Sequence, residues 1–339
     1  MDIGVVGLGS MGWNHARVLS SLGALGAVLD ADARRAREAG AAYQVPVADD
    51  ARSLLDACDA IVVATPTEHH HDVALQAIQA GKHVLVEKPI AATPIQAQAL
   101  IDAAAAQGVC LAVGHIERHN PVVAYARQAI EGGRLGDLLS LNARRVSSFP
   151  GRIRDVGCIM DIGIHEIDIV RYLSGSEVTR VSAVAGCHRA NGHEDHATLL
   201  LRMANDTRAT IETNWLTPMR VRRNTLTLTG AIVEVDYMEQ TALVSTAEYG
   251  AGFQASKGRQ DLDAVPMEYN DQRVVLRRQE PLRNELQDFI QAIQANRAPL
   301  VGGEDGLRAL LIAEAAVASA KSGRGIDLPA AGEALTLAV

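Results

Sequence analysis

A glycine-rich turn near the start of the chain constrains the fold more than any other stretch of the sequence. It reads Gly7-x-Gly9-x-x-Gly12 and follows a short apolar run. Where a strand turns into a helix, the first glycine permits the tight turn, the second lets a diphosphate approach the backbone, and the third lets the helix pack closely. A second apolar run ends at Asp30, where a carboxylate can accept hydrogen bonds from ribose hydroxyls. Such a motif also occurs as an ordinary glycine turn, but this context predicts a dinucleotide site in residues 1–30.

The first 115 residues alternate short apolar strands with helices. Beyond the glycine turn, strands are predicted at 25–29, 60–64, 83–86 and 109–113, and helices at 32–42, 68–80 and 94–107. Strands separated by such helices form a parallel sheet covered on both faces, and ligands bind beyond the carboxyl ends of its strands. Thr65, Glu87, Lys88 and His115 lie at those ends, so we expect them to share one edge of the sheet.

The pattern changes after Gly114. Helices are predicted at 121–131 and 158–173, a strand at 138–146, period-2 strands within 178–244, a long polar loop at 245–280, and closing helices at 282–296 and 304–322. Successive strands with hairpin signals indicate an antiparallel sheet, so the second half is expected to be α+β. We therefore predict a dinucleotide-binding domain over residues 1–118 and a second domain over residues 119–339.

Charge and cysteine usage exclude several classes of protein. The net charge of −8 argues against non-specific nucleic-acid binding, which depends on neutralising phosphates with Lys and Arg. The four cysteines are far apart and show no CxxC spacing, so neither a disulfide scaffold nor a zinc site is expected. Residues 1–20 do not resemble a signal peptide, and no apolar run reaches the roughly 18 residues of a membrane span. We expect a soluble, cytoplasmic protein without a membrane partner.

A predicted helix carries Asp161, His165 and Asp168 at i, i+4 and i+7, which places the three side chains on one face. A carboxylate at this spacing can hold an imidazole in one tautomer and raise its basicity, as a general base for an alcohol proton requires. Acid and base at helical spacing also form ordinary exposed pairs worth about 0.3–0.5 kcal/mol. The many isoleucines of this helix indicate burial, and buried charges need partners, which favours a functional site.

Lys88 lies between Glu87 and Pro89 at the end of a predicted parallel strand. It is either a solvated loop lysine or a side chain that points into a cleft. Pro89 fixes its own φ and limits the swing of the loop. The position at a strand's carboxyl end favours the second interpretation, in which Lys88 donates to a substrate hydroxyl or a developing alkoxide.

Taken together, these residues resemble the glucose-fructose oxidoreductase, inositol dehydrogenase and rhizopine-catabolism (Gfo/Idh/MocA) family. The motifs are the glycine turn with His15, Ala64-Thr65-Pro66 with His70, Ala80 to Val84 running into Glu87-Lys88-Pro89, and Asp161-x-Gly163-x-His165-x-x-Asp168. The resemblance spans the chain. It implies an N-terminal Rossmann domain, a C-terminal domain with an open-faced, mainly antiparallel mixed sheet used for oligomerisation, and NAD(P)-dependent oxidation or reduction of a sugar or polyol.

The resemblance also implies roles for individual residues. It makes Lys88, Asp161 and His165 the catalytic group. The residues expected at the cofactor are Gly7, Gly9, Ser10, Met11, Gly12, Asp30, Thr65, Pro66, His70, Glu87 and Lys88. Many family members have a glycine-rich run before the catalytic helix, whereas this chain has Asp155-Val156-Gly157-Cys158, so the substrate loop is expected to differ in shape.

Three further stretches resemble family members assigned as UDP-N-acetylglucosamine 3-dehydrogenases. They are Gly114 to Pro121, in which His119 replaces the usual Phe, Pro150 to Gly157, and Asn214 to Pro218. The expected substrate-binding residues are His115, Arg118, Asn120, Arg152, Arg154, Asp168 and Trp215. Two arginine-rich stretches, one at 152–154 and one at 220–223, suit diphosphate oxygens, although they also fit solvated loop and strand charges.

The remaining histidines do not predict a metal site. His69, His70 and His71 are consecutive, so on a helix they point about 100° apart. A second group near Cys187 comprises His188, His193 and His196, but its spacing matches no usual zinc pattern. No metal is expected.

The leading hypothesis is an NAD-dependent sugar dehydrogenase in which His165 removes the alcohol proton, Asp161 orients and charges His165, Lys88 binds the reacting oxygen, and hydride passes to nicotinamide. The alternatives are a dehydrogenase of a free sugar or inositol, an NAD-assisted glycosidase, and a non-catalytic NAD and sugar-nucleotide binding protein. Asp30 predicts NAD rather than NADP, although Arg34 and Arg35 lie nearby. The strands within 197–229 carry apolar residues on both alternation sets, which predicts a homodimer or homotetramer.

Overall fold

The computed structural model describes residues 1–151, 156–189, 192–249 and 267–329. Its first part is a parallel sheet with strand order β2-β1-β3-β4-β5. The strands are β1 (Ile3–Val6), β2 (Leu25–Leu29), β3 (Ala60–Val63), β4 (His83–Glu87) and β5 (Leu111–Gly114). The helices are α1 (Ser10–Leu22), α2 (Ala33–Tyr43), α3 (Ala51–Ala57), α4 (His70–Gln79) and α5 (Pro94–Gln107).

The register of this sheet brings the strand ends level. Val6 pairs with both Leu29 and Val63, and Glu87 pairs with Gly114. The loops that follow the strands therefore open at one edge, as the alternation of strands and helices predicts.

The second sheet has nine strands in the order β13-β12-β11-β10-β6-β9-β8-β7-β14. Its strands are β6 (Leu138–Ser148), β7 (Val178–Gly186), β8 (His196–Met203), β9 (Arg208–Asn214), β10 (Leu216–Leu228), β11 (Ile232–Asp236), β12 (Thr241–Tyr249), β13 (Met267–Val275) and β14 (Ile326–Asp327). Neighbours pair antiparallel except β6 and β9, which are parallel. The predicted fold class, a Rossmann fold followed by a mainly antiparallel mixed sheet, is confirmed.

The described residues after β5 also form α6 (Pro121–Glu131), α7 (Ile164–Ser174), α8 (Pro281–Ala295) and α9 (Gly303–Ser322). Of these, α6, α7 and α9 pack on the second sheet. Within the described ranges, one face of that sheet is covered and the other is open. In β8, Leu199 and Leu201 are buried, whereas Leu200 between them is 55% exposed. Val184 of the neighbouring strand is also exposed. The apolar residues on both alternation sets therefore reflect one packed face and one face that the described part of the chain leaves uncovered.

The predicted long loop at 245–280 is wrong over residues 245–249 and 267–275, whereas residues 276–280 carry no helix or strand, as predicted. Residues 245–249 continue β12, and β13 begins at Met267. β13 is an edge strand, and its residues 269–273 are exposed, so the sequence lacks the apolar alternation that reveals a strand packed on a core. The part of the predicted loop at 250–266 lies outside the described residues.

The closing helices return to the first sheet. α8 packs on α1, and α9 packs on α5 and β5 as well as on β7. A bridge between Ala112 and Gly302 joins the edge strand of the first sheet to the segment before α9. The domain boundary between residues 118 and 119 stays a prediction. No helix within the described ranges is both long enough and apolar enough to cross a membrane.

Candidate active site

The glycine turn has the geometry that its three positions require. Gly7 has a φ of +86°, and a Cβ there would lie 2.7 Å from the carbonyl oxygen of Ala64. A Cβ on Gly12 would lie 1.7 Å from the carbonyl oxygen of Gly7, so only glycine lets α1 pack this close. A Cβ on Gly9 would meet no atom within 4 Å. The backbone at Gly9 is thus open to a ligand. Gly9 directly precedes the N-terminus of α1, where unpaired N–H groups favour phosphate.

A single cleft of 1810 Å³ extends from this turn to the second sheet. Small-molecule sites are commonly about 300–1,000 Å³, so this cleft has room for a dinucleotide and a substrate together. It is lined by most of the residues expected at the cofactor and by Lys88, Asp161, His165 and Trp215. The expected cofactor residues along it are Gly7, Gly9, Ser10, Met11, Asp30, Thr65, Pro66, His70 and Glu87.

Asp30 is fixed at the end of β2 by three donors. Its Oδ2 accepts from the N–H of Leu8 at 2.5 Å, and its Oδ1 accepts from the N–H of Asp32 at 2.7 Å. Arg35 donates to the same Oδ1 at 3.0 Å. The carboxylate is therefore held in the cleft beside the glycine turn, but part of its charge is balanced by Arg35.

His70 and Glu87 line the cleft, but their side chains are engaged by neighbouring protein groups. The two ring nitrogens of His70 face the carbonyl oxygens of Pro89 and Thr65 at 2.8 and 2.9 Å. Glu87 contacts Nε2 of His15 at 2.7 Å and accepts from the N–H of Lys88 at 3.2 Å. Burial raises the pKa of Glu87, but the hydrogen bond and charge of His15, together with the charges of Lys88 and His70, outweigh it and leave this pKa below its usual value.

Lys88 and Asp161 form a direct pair across the cleft floor. The ammonium of Lys88 donates to the backbone oxygen of Asp161 at 2.6 Å and to its carboxylate Oδ1 at 3.2 Å. Both side chains are largely buried. The peptide bond between Lys88 and Pro89 is cis.

The predicted pairing of Asp161 with His165 is wrong. Residues Ile159–Gly163 form a π turn, in which the N–H of Ile164 bonds to the carbonyl oxygen of Ile159. This i→i+5 pattern changes the rotation per residue, so side chains four apart no longer stack as on an α-helix. Asp161 therefore faces Lys88, and among the described residues Nδ1 of His165 has no hydrogen-bond partner.

His165 is also less basic than the sequence predicts. Burial lowers its pKa well below the usual value, and the nearby cations Arg145 and Lys88 lower it further. The residue is 8% exposed, and its ring packs edge-on against that of His115, with centroids 6.4 Å apart. His165 is thus a neutral imidazole at neutral pH, able to accept a proton without first losing one.

Two arginines that face each other on adjacent strands add positive charge to the cleft. Arg145 of β6 pairs in register with Arg222 of β10, and each donates to Oε1 of Glu117 at 2.9 Å. Arg145 also bonds to Glu166 at 3.1 Å. Burial and the charge of Arg145 lower the pKa of Arg222 to about 10. Sequence reasoning noticed Arg222 but missed Arg145, whose signal was a basic pair inside an apolar strand.

Several predicted substrate residues lie outside the cleft. Arg118 donates to both carboxylate oxygens of Asp168, at 2.8 and 2.6 Å, and also to Asp305 at 2.9 Å. Asn120 caps α6 and bonds to the backbone of Tyr237. Arg118 and Asp168 pair in the interior, Asn120 bonds to other buried groups, and none of the three lines the cleft, so their prediction as substrate contacts is corrected. Their burial could not be read from local spacing, because their partners are distant in sequence.

The other predicted substrate residues divide into three cases. His115 is buried outside the cleft lining, against the ring of His165. Trp215 lines the cleft and packs edge-on against Phe149. Arg152 and Arg154 lie outside the described residues.

The histidine groups near residues 70 and 190 do not converge. His69 contacts Glu68, His71 contacts Asp72, and His196 contacts Asp195. Across the part of the chain that the structure describes, the one cluster of three side chains with ligand atoms close enough for a metal is His15, Glu87 and Glu285.

Comparison with known families agrees with this geometry. Residues 1–115 match the family described as "Oxidoreductase family, NAD-binding Rossmann fold", and residues 123–232 match the "GFO/IDH/MocA C-terminal domain". Together these matches cover more than half of the chain.

Relatives with assigned activities extend over almost the full length. The UDP-N-acetylglucosamine 3-dehydrogenase of Acidithiobacillus ferrooxidans is 33% identical over 92% of this chain and 95% of its own. An inositol 2-dehydrogenase of Paenarthrobacter aurescens is 30% identical over 94% of this chain and 96% of its own. A solved structure of the Acidithiobacillus enzyme superposes with a TM-score of 0.85 at 31% identity, covering 95% of this chain and 98% of that one.

Proposed function

Because the chain belongs to the Gfo/Idh/MocA oxidoreductase family, we propose that it oxidises a hydroxyl group of a nucleotide-linked sugar, at the 3-position of a UDP-sugar such as UDP-N-acetylglucosamine. It is an NAD-dependent dehydrogenase of sugars or polyols, as its relatives are. The observation that carries the proposal is that Lys88, Asp161 and His165 line the same cleft as the glycine turn.

The chain's own residues fit NAD. The open backbone at Gly9 and the start of α1 would hold the diphosphate, and Asp30 would hold the adenosine ribose. When bound, NAD supplies the hydride acceptor for the alcohol carbon.

The chain's side chains manage the proton and the charge on the oxygen. A neutral His165 accepts the hydroxyl proton, and its low pKa keeps it ready to do so at neutral pH. Lys88 is held by Asp161, which fixes its ammonium where it can donate to the reacting oxygen as negative charge develops there. In this proposal Asp161 positions Lys88 and not His165.

The arginines of the second sheet support a nucleotide-linked substrate. Arg145, Arg220 and Arg222 line the cleft, and Glu117 is shared between two of them. Glu166 also accepts from Arg145, and Arg220 adds a further positive charge to the cleft lining. A diphosphate would add negative charge beside these arginines, and guanidinium groups bind its oxygens well.

Inositol is the second candidate, because full-length relatives are inositol dehydrogenases. Initial rates of NADH formation with UDP-N-acetylglucosamine, UDP-glucose, free N-acetylglucosamine and myo-inositol separate the two. The product is then identified by mass spectrometry, since a ketone shows dehydrogenation whereas released UDP and free sugar show NAD-assisted cleavage. Faster turnover of myo-inositol than of any UDP-sugar contradicts the proposal.

Arg222→Met sharpens this test. We expect KM for the UDP-sugar to rise about 10- to 100-fold, the value of one hydrogen bond to a charged group, while kcat changes little. Arg223→Met is the matched control, because Arg223 is exposed and pairs with Asp236 outside the cleft lining. An equal effect of Arg222→Met on the free sugar contradicts the diphosphate role.

We also propose that the chain assembles as a homodimer or homotetramer through the open face of the second sheet. That face exposes apolar residues including Val184, Leu200 and Ile232. Exposed apolar surface of this kind is usually covered by a partner. Light scattering at micromolar concentration tests the proposal, and a monomer there contradicts it.

A further inference from the structure

A buried acid on α8 stands out from the other charged groups in the described part of the chain. Glu285 is 2% exposed, and within the described residues neither of its carboxylate oxygens has a hydrogen-bond partner. His15 of α1 and Glu87 of β4 lie beside it, and one ligand atom from each of the three residues lies within 4.8 Å of the others. Helix α8 therefore meets α1 and β4, which lie far from it in sequence, at this point.

The charges around Glu285 do not favour its ionised form. Glu87 already carries a negative charge, which its hydrogen bond from His15 stabilises. The arginines on the elements packed against α8 pair with other carboxylates: Arg17 with Glu280, and Arg118 with Asp168 and Asp305. Farther away, Arg145 and Arg222 both pair with Glu117. On α8 itself, Asp288 adds a further negative charge and pairs with Arg297.

Burial therefore raises the pKa of Glu285 well above its usual value, and the negative charges of Glu87, Asp288 and Glu117 raise it further. Ionising Glu285 beside the charged Glu87 in the protein interior would cost free energy, whereas a protonated Glu285 can donate a hydrogen bond. Geometry and charge thus agree on a neutral side chain.

We propose that Glu285 is a neutral carboxylic acid that donates a hydrogen bond to Glu87 and thereby acts as a positioning residue for Lys88. Glu87 is the link, because its other oxygen accepts from the backbone N–H of Lys88 at 3.2 Å. Gly114 confines the Glu87 carboxyl from another side, since a Cβ there would lie 3.1 Å from its carboxyl carbon. Helix α8 would in this way help to fix the loop that carries the catalytic lysine.

A divalent cation is the other occupant that one imidazole and two carboxylates suggest. The contact of 2.7 Å between His15 and Glu87 disfavours it, because a metal would have to replace the hydrogen bond that now joins them.

Infrared spectroscopy tests the protonation directly. The full-length protein at pH 7 should show the carbonyl stretch of a buried carboxylic acid, and Glu285→Gln should abolish it. The control is Glu304→Gln at an exposed position, which should leave the band in place. Absence of the band in the unaltered protein overturns the proposal. A metal-binding measurement can also overturn it: the protein would retain one equivalent of Zn²⁺ or Mn²⁺ after dialysis, and Glu285→Gln would not.

Kinetics test the positioning role, which rests on the function proposed for Lys88. Glu285→Gln keeps a neutral donor and should retain kcat, whereas Glu285→Met removes the donor and should lower kcat about fivefold, the value of one neutral hydrogen bond, with KM for NAD unchanged. Equal kcat losses in the two variants overturn the positioning role. The infrared result stands independently of any activity, so failure of this inference and failure of the proposed function can be told apart.

A pH series provides a third measurement. A carboxyl whose pKa is raised on folding stabilises the protein at low pH, and that contribution is lost as pH rises through the folded value. The Tm of Glu285→Gln minus the Tm of the unaltered protein should therefore rise as pH increases above about 5. A constant difference in Tm between pH 5 and 8 contradicts a neutral Glu285.

Discussion

The glycine turn at residues 7–12 and the π turn at residues 159–163 line one cleft but are held by different interactions. The first is fixed by the backbone itself, since a Cβ on Gly7 or Gly12 would collide with neighbouring main-chain atoms. The second is joined to Lys88, which lies 73 positions away in sequence. In the proposed function the first turn binds the cofactor, whereas the second holds Lys88 beside the reacting oxygen through Asp161. Changes in the two turns should therefore affect different kinetic constants.

The largest expected effect is on chemistry. His165→Ala should lower kcat about 10²- to 10⁴-fold, because it removes the group that accepts the alcohol proton. NAD affinity should remain, since His165 does not belong to the glycine turn. The control is His196→Ala, a half-exposed histidine that contacts Asp195 outside the cleft lining. Steady-state kinetics and a binding titration with NAD make the measurement, and a normal kcat in His165→Ala refutes the assignment.

A smaller effect is expected at Asp161. Asp161→Asn should lower kcat about 10- to 100-fold, because it weakens the charged contact that holds Lys88. The backbone oxygen of residue 161 still accepts from Lys88, which keeps the loss below that of His165→Ala. The pH profile separates this from the pairing predicted by sequence. If Asp161 acted on His165, the acid limb of kcat/KM would move, and we expect it to stay in place.

Sequence reasoning succeeds where the signal lies in neighbouring residues of the chain. The parallel sheet, the glycine turn and the positions of Asp30, Lys88 and His165 at one cleft followed from periodicity and motif spacing, which depend on neighbours in the chain. A local signal of this kind is available because each strand end places its next residue at the same edge of the sheet.

The errors have the opposite origin. Asp161 was assigned to His165 on the spacing of a regular helix, and one extra residue in the turn redirects it. Arg118 and Asp168 were assigned to the substrate, although they neutralise each other in the interior. Glu285 carries no local pattern, since its environment is built by α1 and β4. Tertiary packing decides which charged side chains become partners, and local sequence spacing does not reveal it.

The next effect concerns Asp30, beside the glycine turn, and the choice between NAD and NADP. Asp30→Asn should improve kcat/KM for NADP relative to NAD about 10-fold, since it removes a negative charge that repels a 2′-phosphate. Asparagine can still accept from the N–H of Leu8, so the turn should stay intact. Asp32→Asn, which changes a helix cap outside the ribose position, is the control. Equal or better kcat/KM with NADP in the unaltered enzyme contradicts the expected preference for NAD.

The smallest expected effect is a shift along the pH axis, and it links the arginines to the base. Burial comes first among the causes that depress the pKa of His165, followed by the charges of Arg145 and Lys88, with Arg222 also contributing. The base must be unprotonated to accept a proton, so the acid limb of kcat/KM for oxidation should lie below the usual histidine value of about 6.5. Arg222→Met removes one positive charge, which makes protonation of His165 easier and should move that limb to higher pH. Arg223→Met should leave it unchanged, because Arg223 lies outside the cleft lining and pairs with Asp236. A limb above 6.5 in the unaltered enzyme, or a shift to lower pH in Arg222→Met, would show that this arginine pair does not set the charge state of the base.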